Sequence, residues 1–269
     1  MKFSITWTLE KRKFAPLPLT GDIEAGFNTA REIGCNALEL SLKTIDDAPA
    51  GKVLALMDKY DIEISAIATG LSFGEEGIGF CCEDPELRQE AEKRFKQFID
   101  FAGIINSKVI FGLIRGDYSS DLATREQQIQ WSLESLKRCA ELADKAGVEI
   151  TVEPINRYET RFINTIDEAD AFVDRVGSKN LTILADLFHM NIEEANMEKS
   201  LESHRDKVAY LHIVDSNRQF PGRGHINLES IIKTLNIINY KGFLTMECIP
   251  VSNPQKEASE AIKHISAFL

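Results

Sequence analysis

Four stretches in the second half of the chain decide the fold. They are Val152-Glu153-Pro154-Ile155-Asn156, Leu184-Ala185-Asp186-Leu187-Phe188-His189, Leu211-His212-Ile213-Val214-Asp215 and Thr245-Met246-Glu247-Cys248-Ile249. Each is an apolar, β-rich run that closes on a side chain able to bind a metal. Glu153, Asp186, His212 and Glu247 lie 33, 26 and 35 residues apart. A strand, its crossover helix and the next strand need roughly 30 residues. Successive candidates are therefore about one βα unit apart, and in a closed parallel barrel their strand ends would share one mouth.

Outward from this core, strand and helix signals alternate along the whole chain. Strands are expected over 2–7, 36–42, 63–68, 108–113, 148–152, 181–185, 208–214 and 243–246. Helices are expected over 22–33, 49–60, 84–105, 125–146, 165–176, 192–204, 228–235 and 254–268. Asp22 and Gly34 look like the cap and stop of the first helix, Asp84-Pro85-Glu86 opens the long third one, and Thr165-Ile166-Asp167-Glu168 has the pattern of a capping box. Strict alternation of eight units, with no element left over, predicts a parallel sheet closed into a single (β/α)₈ TIM barrel. The length of 269 residues suits one such barrel, for which about 250 is usual, so one domain over 1–269 is expected. No Gly-x-Gly-x-x-Gly follows the first strand, which argues against a dinucleotide fold.

The bulk chemistry excludes several classes of partner. Apolar residues make up 43% of the chain, enough for a large core, and the net charge is −11 with five His. Nucleic-acid binding needs clustered Lys and Arg, so none is expected. No apolar run reaches signal-peptide or membrane-span length, and the five Cys include no Cys-x-x-Cys pair. These features predict a reduced, cytoplasmic protein without membrane contact.

Two Glu, one Asp and one His form a mostly hard oxygen-donor set. It suits Mn²⁺, Mg²⁺ or Co²⁺ better than a structural zinc site does. Each residue alone has a plainer alternative as a helix cap or a solvated turn; their common register is what favours a site. Other polar residues lie near them. Glu159 adds a second carboxylate in the loop after Glu153, or is simply a solvated charge. His189 reaches over a metal to a substrate oxygen, or caps a helix, or pairs with Asp186. Arg218, in the turn-rich loop 215–225, binds a substrate hydroxyl, carboxylate or phosphate, or is incidental. Trp7 at the end of the first strand walls a pocket, or packs in the rim. Glu39 and Arg115 also fall near strand ends. A cation between Glu153 and Glu247 would polarise a carbonyl and its neighbouring hydroxyl, leaving the C–H between them acidic. Two carboxylates on opposite faces of that carbon would invert it; return of the proton to the adjacent carbon would give aldose–ketose isomerisation.

The runs Val-Glu-Pro-Ile-Asn-Arg-Tyr-Glu, Ala-Asp-Leu-Phe-His-Met-Asn-Ile-Glu-Glu, His-Ile-Val-Asp-Ser-Asn-Arg-x-x-Pro-Gly-x-Gly-His and Met-Glu resemble the sugar isomerase/epimerase superfamily with its xylose-isomerase-like barrel. Within it they are most similar to ketose 3-epimerases of the D-tagatose/D-psicose (allulose) type. The resemblance covers essentially the whole chain and is most specific from Glu153 to Glu247. It implies one divalent metal, Mn²⁺ before Co²⁺ or Mg²⁺, bound by Glu153, Asp186, His212 and Glu247. It also implies Glu153 and Glu247 as the acid/base pair at C3 of an open-chain ketose, a cis-enediolate intermediate, and substrate contacts from Glu159, His189 and Arg218. A homodimer or homotetramer is expected on the same ground. Related members act on phosphorylated ketoses, hydroxypyruvate or inosose, and Arg115, Arg157, Arg161 and Arg223 leave a phosphate open. An isomerase of the aldose–ketose or hydroxypyruvate type, a dehydratase and a sugar- or metal-binding protein without turnover are the alternatives.

Overall fold

The structure, a computed structural model, describes residues 1–12, 15–118 and 123–269. Eight parallel strands form the barrel: β1 (Lys2–Thr8), β2 (Ala37–Ser41), β3 (Glu63–Ala68), β4 (Lys108–Phe111), β5 (Ile150–Val152), β6 (Leu181–Asp186), β7 (Val208–His212) and β8 (Phe243–Met246). Each pairs with the next in chain order, and β8 returns to β1 with Ile5 opposite Met246. That last pairing closes the ring. A two-residue strand, Leu19–Thr20, runs beside the end of β1.

Ten α-helices are described: α1 (Ile23–Ile33), α2 (Ala50–Tyr60), α3 (Gly70–Glu76), α4 (Pro85–Ile105), α5 (Arg125–Ala146), α6 (Ile166–Val176), α7 (Leu187–Glu193), α8 (Met197–Ser203), α9 (Leu228–Ile237) and α10 (Pro254–Ser266). α1 shows the local logic. Ile23, Phe27, Ala30 and Ile33 recur at helical spacing and are buried, while the Asp22 carboxylate accepts from the Ala25 amide. Gly34, at φ 88°, turns the chain out and donates to the Ala30 and Arg31 carbonyls. Burying Ile23 and Phe27 contributes about 1.5–3 kcal/mol each.

Two helical expectations need correction. The helix expected over 192–204 is two, α7 and α8, because the chain goes extended at Glu194 and restarts where Asn196 caps the Lys199 amide. The capping box at 165–168 is only half made. Thr165 accepts from the Glu168 amide, but Glu168 reaches back to the Asn164 amide instead of that of Thr165.

Strand parity sorts the core into two layers. Phe3, Ile5 and Trp7 point outward into the large apolar layer between barrel and helices. Inside the barrel sits a small cluster of Ala66, Ala68, Ile110, Leu184 and Tyr210. The interior also holds hydrogen-bonded polar side chains, among them Ser4, Ser65, Tyr210 and Thr245. Branched apolar residues usually fill such barrels, so this polar layer is a departure.

Candidate active site and metal centre

The carboxyl ends of β5–β8 bring Glu153, Asp186, His212 and Glu247 together. One ligand atom from each lies within 4.8 Å of the others. Asp186 and His212 are the last residues of β6 and β7; Glu153 and Glu247 stand one residue past β5 and β8. His212 Nδ1 faces Glu153 Oε1 at 3.4 Å, Asp186 Oδ2 at 3.3 Å and Glu247 Oε2 at 3.5 Å. Gly112, at the end of β4, leaves room for this approach: a Cβ there would lie 2.8 Å from Glu153 Oε2.

Three buried carboxylates cannot share such a space without compensation. The Arg218 guanidinium supplies part of it. It donates to Asp186 Oδ2 at 2.7 Å and to Glu247 Oε2, and it lies 4.8 Å from the centre of the Phe188 ring. Arg218 holds a left-handed backbone, φ 62°. His212 supplies more: burial lowers its proton affinity, but the carboxylates around it, Glu39 and Glu247 first, outweigh burial and hold it well above the ordinary histidine range. Burial pushes Glu153 up to about 7, against the pull of His212. Burial also acts on Glu247 and Asp186, but Arg218 and His212 outweigh it and hold both below the ordinary carboxylate range. A hard donor set of three carboxylates and one imidazole converging to this spacing fits a divalent cation.

Around the cluster lies a cleft of about 800 Å³, open to solvent. Glu159, His189 and Arg218 line it, together with Glu153, His212 and Glu247. Asn156 organises two of these side chains. Its amide donates to Glu159 Oε1 at 2.8 Å and pairs with His189 Nδ1 at 2.8 Å. An amide N–H donor makes Nδ1 the acceptor and leaves the His189 proton on Nε2, 3.8 Å from Asp186 Oδ2. Burial pushes His189 down to about 3, so it is a neutral donor facing the cleft. Asp215 is the hub of the loop after β7: its carboxylate accepts from the amides of Ser216, Gly222 and Ile226. Neither Asn156 nor Asp215 was a candidate from sequence. An Asn or Asp in a turn-rich loop signals this kind of backbone bonding, but not which side chain it will hold.

Trp7 does not line the cleft. Its indole is wholly buried on the outer face of β1, where Gly26 of α1 makes room; a Cβ at Gly26 would meet Trp7 Cδ1 at 2.7 Å. Trp7 shares the parity of Phe3 and Ile5, and that alternation sends it away from the mouth.

The arginines that left a phosphate open are engaged elsewhere. Arg115 is fully buried and donates to the carbonyls of Glu153 at 2.5 Å and Ile163 at 3.1 Å. It clasps the backbone that carries Glu153. Arg157 pairs with Glu193, Arg161 with Asp117, and Arg223 with Glu257 and Glu260. The opposite wall of the cleft is apolar, formed by Pro16, Leu17, Leu71, Leu113 and Ile155 among others. All five cysteines are free, four of them buried. No described helix is long and apolar enough to cross a membrane.

Comparison with known proteins places this geometry. The family model for the xylose isomerase-like TIM barrel matches residues 27–268. D-psicose 3-epimerase of Enterocloster bolteae is 29% identical over 219 residues, covering 80% of this chain and 73% of that protein. The 3-dehydro-D-guloside 4-epimerase of Escherichia coli is 33% identical over 114 residues, 42% of this chain and 44% of the relative. A solved L-ribulose 3-epimerase superposes with a TM-score of 0.86 over 100% of this chain and 94% of its own, at 24% identity, which speaks for the fold alone. The chain belongs to the xylose isomerase-like TIM barrel family and is an enzyme of the isomerase class, with sugar epimerases among its relatives.

Proposed function

We propose that this chain, one barrel domain over residues 1–269, is a divalent-metal-dependent ketose 3-epimerase. One observation carries the reading. Glu153 and Glu247 reach the same buried cluster from two different strand ends, those of β5 and β8. Two carboxyls that approach one substrate from different strand ends are what a reaction needs if it removes a proton on one face and supplies one on the other.

A divalent cation, Mn²⁺ before Co²⁺ or Mg²⁺, would be held by Glu153, Asp186, His212 and Glu247 and would polarise the C2 carbonyl and a neighbouring hydroxyl, making C3–H acidic. One of the two, Glu153 or Glu247, takes the C3 proton in one direction, and the other supplies one to the opposite face. The roles exchange for the reverse reaction. Between the two steps the substrate is a cis-enediolate. His189, a neutral Nε2–H donor, and Glu159 bind oxygens near the reacting carbon, both oriented by Asn156. Arg218 neutralises charge on Asp186 and Glu247 and lines the cleft.

The substrate is an unphosphorylated sugar. Among the described residues, Arg218 is the one Lys or Arg lining the cleft, and it is already bonded to two carboxylates. The test is to incubate Mn²⁺-loaded protein with free ketoses and their 1- and 6-phosphates and separate the products by ligand-exchange chromatography. C3 epimers from free ketoses alone are expected. Turnover of phosphorylated sugars only, or an aldose product, would sink the reading. The E. coli relative supports a second reading, inversion at C4 of a 3-keto sugar. The same acid/base pair would serve there, since the inverted carbon again neighbours a carbonyl. The protein is expected to assemble as a homodimer or homotetramer, which light scattering would measure.

A further inference from the structure

The His212 ring is gripped at both nitrogens. Nδ1 faces the carboxylate cluster, while Nε2 points down into the barrel, 3.0 Å from Glu39 Oε2. Glu39 stands on β2, fully buried, and does not line the cleft. Its Oε2 also accepts from the Tyr210 hydroxyl at 2.9 Å. Thr245 Oγ1 donates to that hydroxyl at 2.8 Å; Ser65 Oγ lies 2.7 Å from it and 2.8 Å from Ser4 Oγ. Strands β1, β3, β7 and β8 thus contribute Ser4, Ser65, Tyr210 with His212, and Thr245 to a network around a single carboxylate oxygen of β2. The other oxygen, Oε1, is buried with no protein partner. A half-satisfied buried carboxylate costs stability, so folding alone does not explain Glu39.

A carboxylate only accepts, so the hydrogen it meets must sit on Nε2. That leaves Nδ1 as the nitrogen available to a cation. We propose that Glu39 is a positioning residue: through its bond to Nε2–H it fixes the tautomer and tilt of His212 and makes Nδ1 a stronger metal donor. Carboxylates play this part behind many metal-binding histidines. Here the carboxylate comes from β2, across the barrel interior from the strands that carry the ligands. The inference rests on the metal-dependent reading above.

The test is a Mn²⁺ titration of the full chain, following the free ion by electron paramagnetic resonance, for wild type, Glu39→Gln and Tyr210→Phe. Glu39→Gln is expected to weaken Mn²⁺ binding by about 10- to 100-fold, with the melting temperature of the chelated protein unchanged or raised. Tyr210→Phe disturbs the same interior but leaves the His212–Glu39 bond, so its loss should be smaller. Equal affinity in wild type and Glu39→Gln would overturn the proposal. So would an equal loss in Tyr210→Phe, which would mark a general loosening of the core. A measurement on wild type alone covers the case of a variant that does not fold. The Co²⁺-loaded protein should show a paramagnetically shifted, slowly exchanging ring N–H proton, and absence of that signal would also overturn it. Failure of wild type to bind Mn²⁺ or Co²⁺ at all would sink the metal-dependent reading, and this inference with it.

Discussion

The two sides of the barrel mouth are made of different material. Strands β5–β8 end in Glu153, Asp186, His212 and Glu247, and the segments beyond them supply Glu159, His189 of α7 and Arg218. Strands β1–β4 give the cleft Ser41, Ala68, Thr69, Gly112 and Leu113, with Pro16, Leu17 and Leu71 from nearby loops. One side carries charge and protons; the other gives shape, room and a dry wall. Such a division lets an enzyme keep its chemistry while its apolar wall changes. The separation has two crossings: Gly112 of the quiet side yields space to the Glu153 carboxylate, and Glu39 of β2 reaches His212 from below.

The comparison breaks most visibly at its reactive side. Glu247→Gln should lower kcat by about 10²- to 10⁴-fold, with circular dichroism unchanged; activity within threefold of wild type would remove Glu247 from the acid/base pair. The first crossing gives the next effect. Gly112→Ala should displace the Glu153 carboxylate and reduce kcat by about 10- to 100-fold, although no charge is altered. An unchanged kcat would mean that Glu153 has another place to go. On the quiet side, Leu113→Ala should leave kcat for the preferred ketose nearly intact and shift the ratio of kcat/KM between ketoses of different length by about 10-fold. A collapse of kcat instead would show that the wall takes part in the chemistry.

The smallest effect lies outside the mouth and serves as a control. On the surface of α4, burial raises Glu92, but Arg138 and Lys96 outweigh it and bring it to about 2. Its folded affinity for a proton is thus below the unfolded value of 4.5. The stability it adds is present above that value and is lost as pH falls through about 2. After allowing for solvent screening of an ion pair at the surface, Glu92→Gln should cost about 1 kcal/mol at pH 7, and the difference should vanish near pH 2. Chemical denaturation at the two pH values measures it, and kcat should not move.

Much of this was legible in the chain. Period-2 runs alternating with capped helical runs gave eight βα units, and the spacing of four strand-end ligands set their common mouth. What escaped depends on contacts across the ring. Asn156 aligns His189 with Glu159, and Arg218 bridges Asp186 and Glu247, only because loops from different strands meet. Glu39 was visible as a residue near a strand end, but its partner is 173 positions away. Trp7 was a different kind of miss. Its parity with Phe3 and Ile5 was already in the sequence and placed it on the outer face. The split between α7 and α8 hides in a polar stretch where Asn196 stops one helix pattern and starts another.

The central claim is that Glu153 and Glu247 exchange a proton at one carbon of a free ketose. Its most direct test is proton nuclear magnetic resonance of Mn²⁺-loaded enzyme with free ketoses in D₂O, with the metal removed before the spectra are taken. The predicted result is loss of the C3 proton signal as the C3 epimer appears, dependent on metal and absent in Glu247→Gln. Retention of the C3 proton with every ketose, or deuterium entering at C1 with an aldose product, would contradict it.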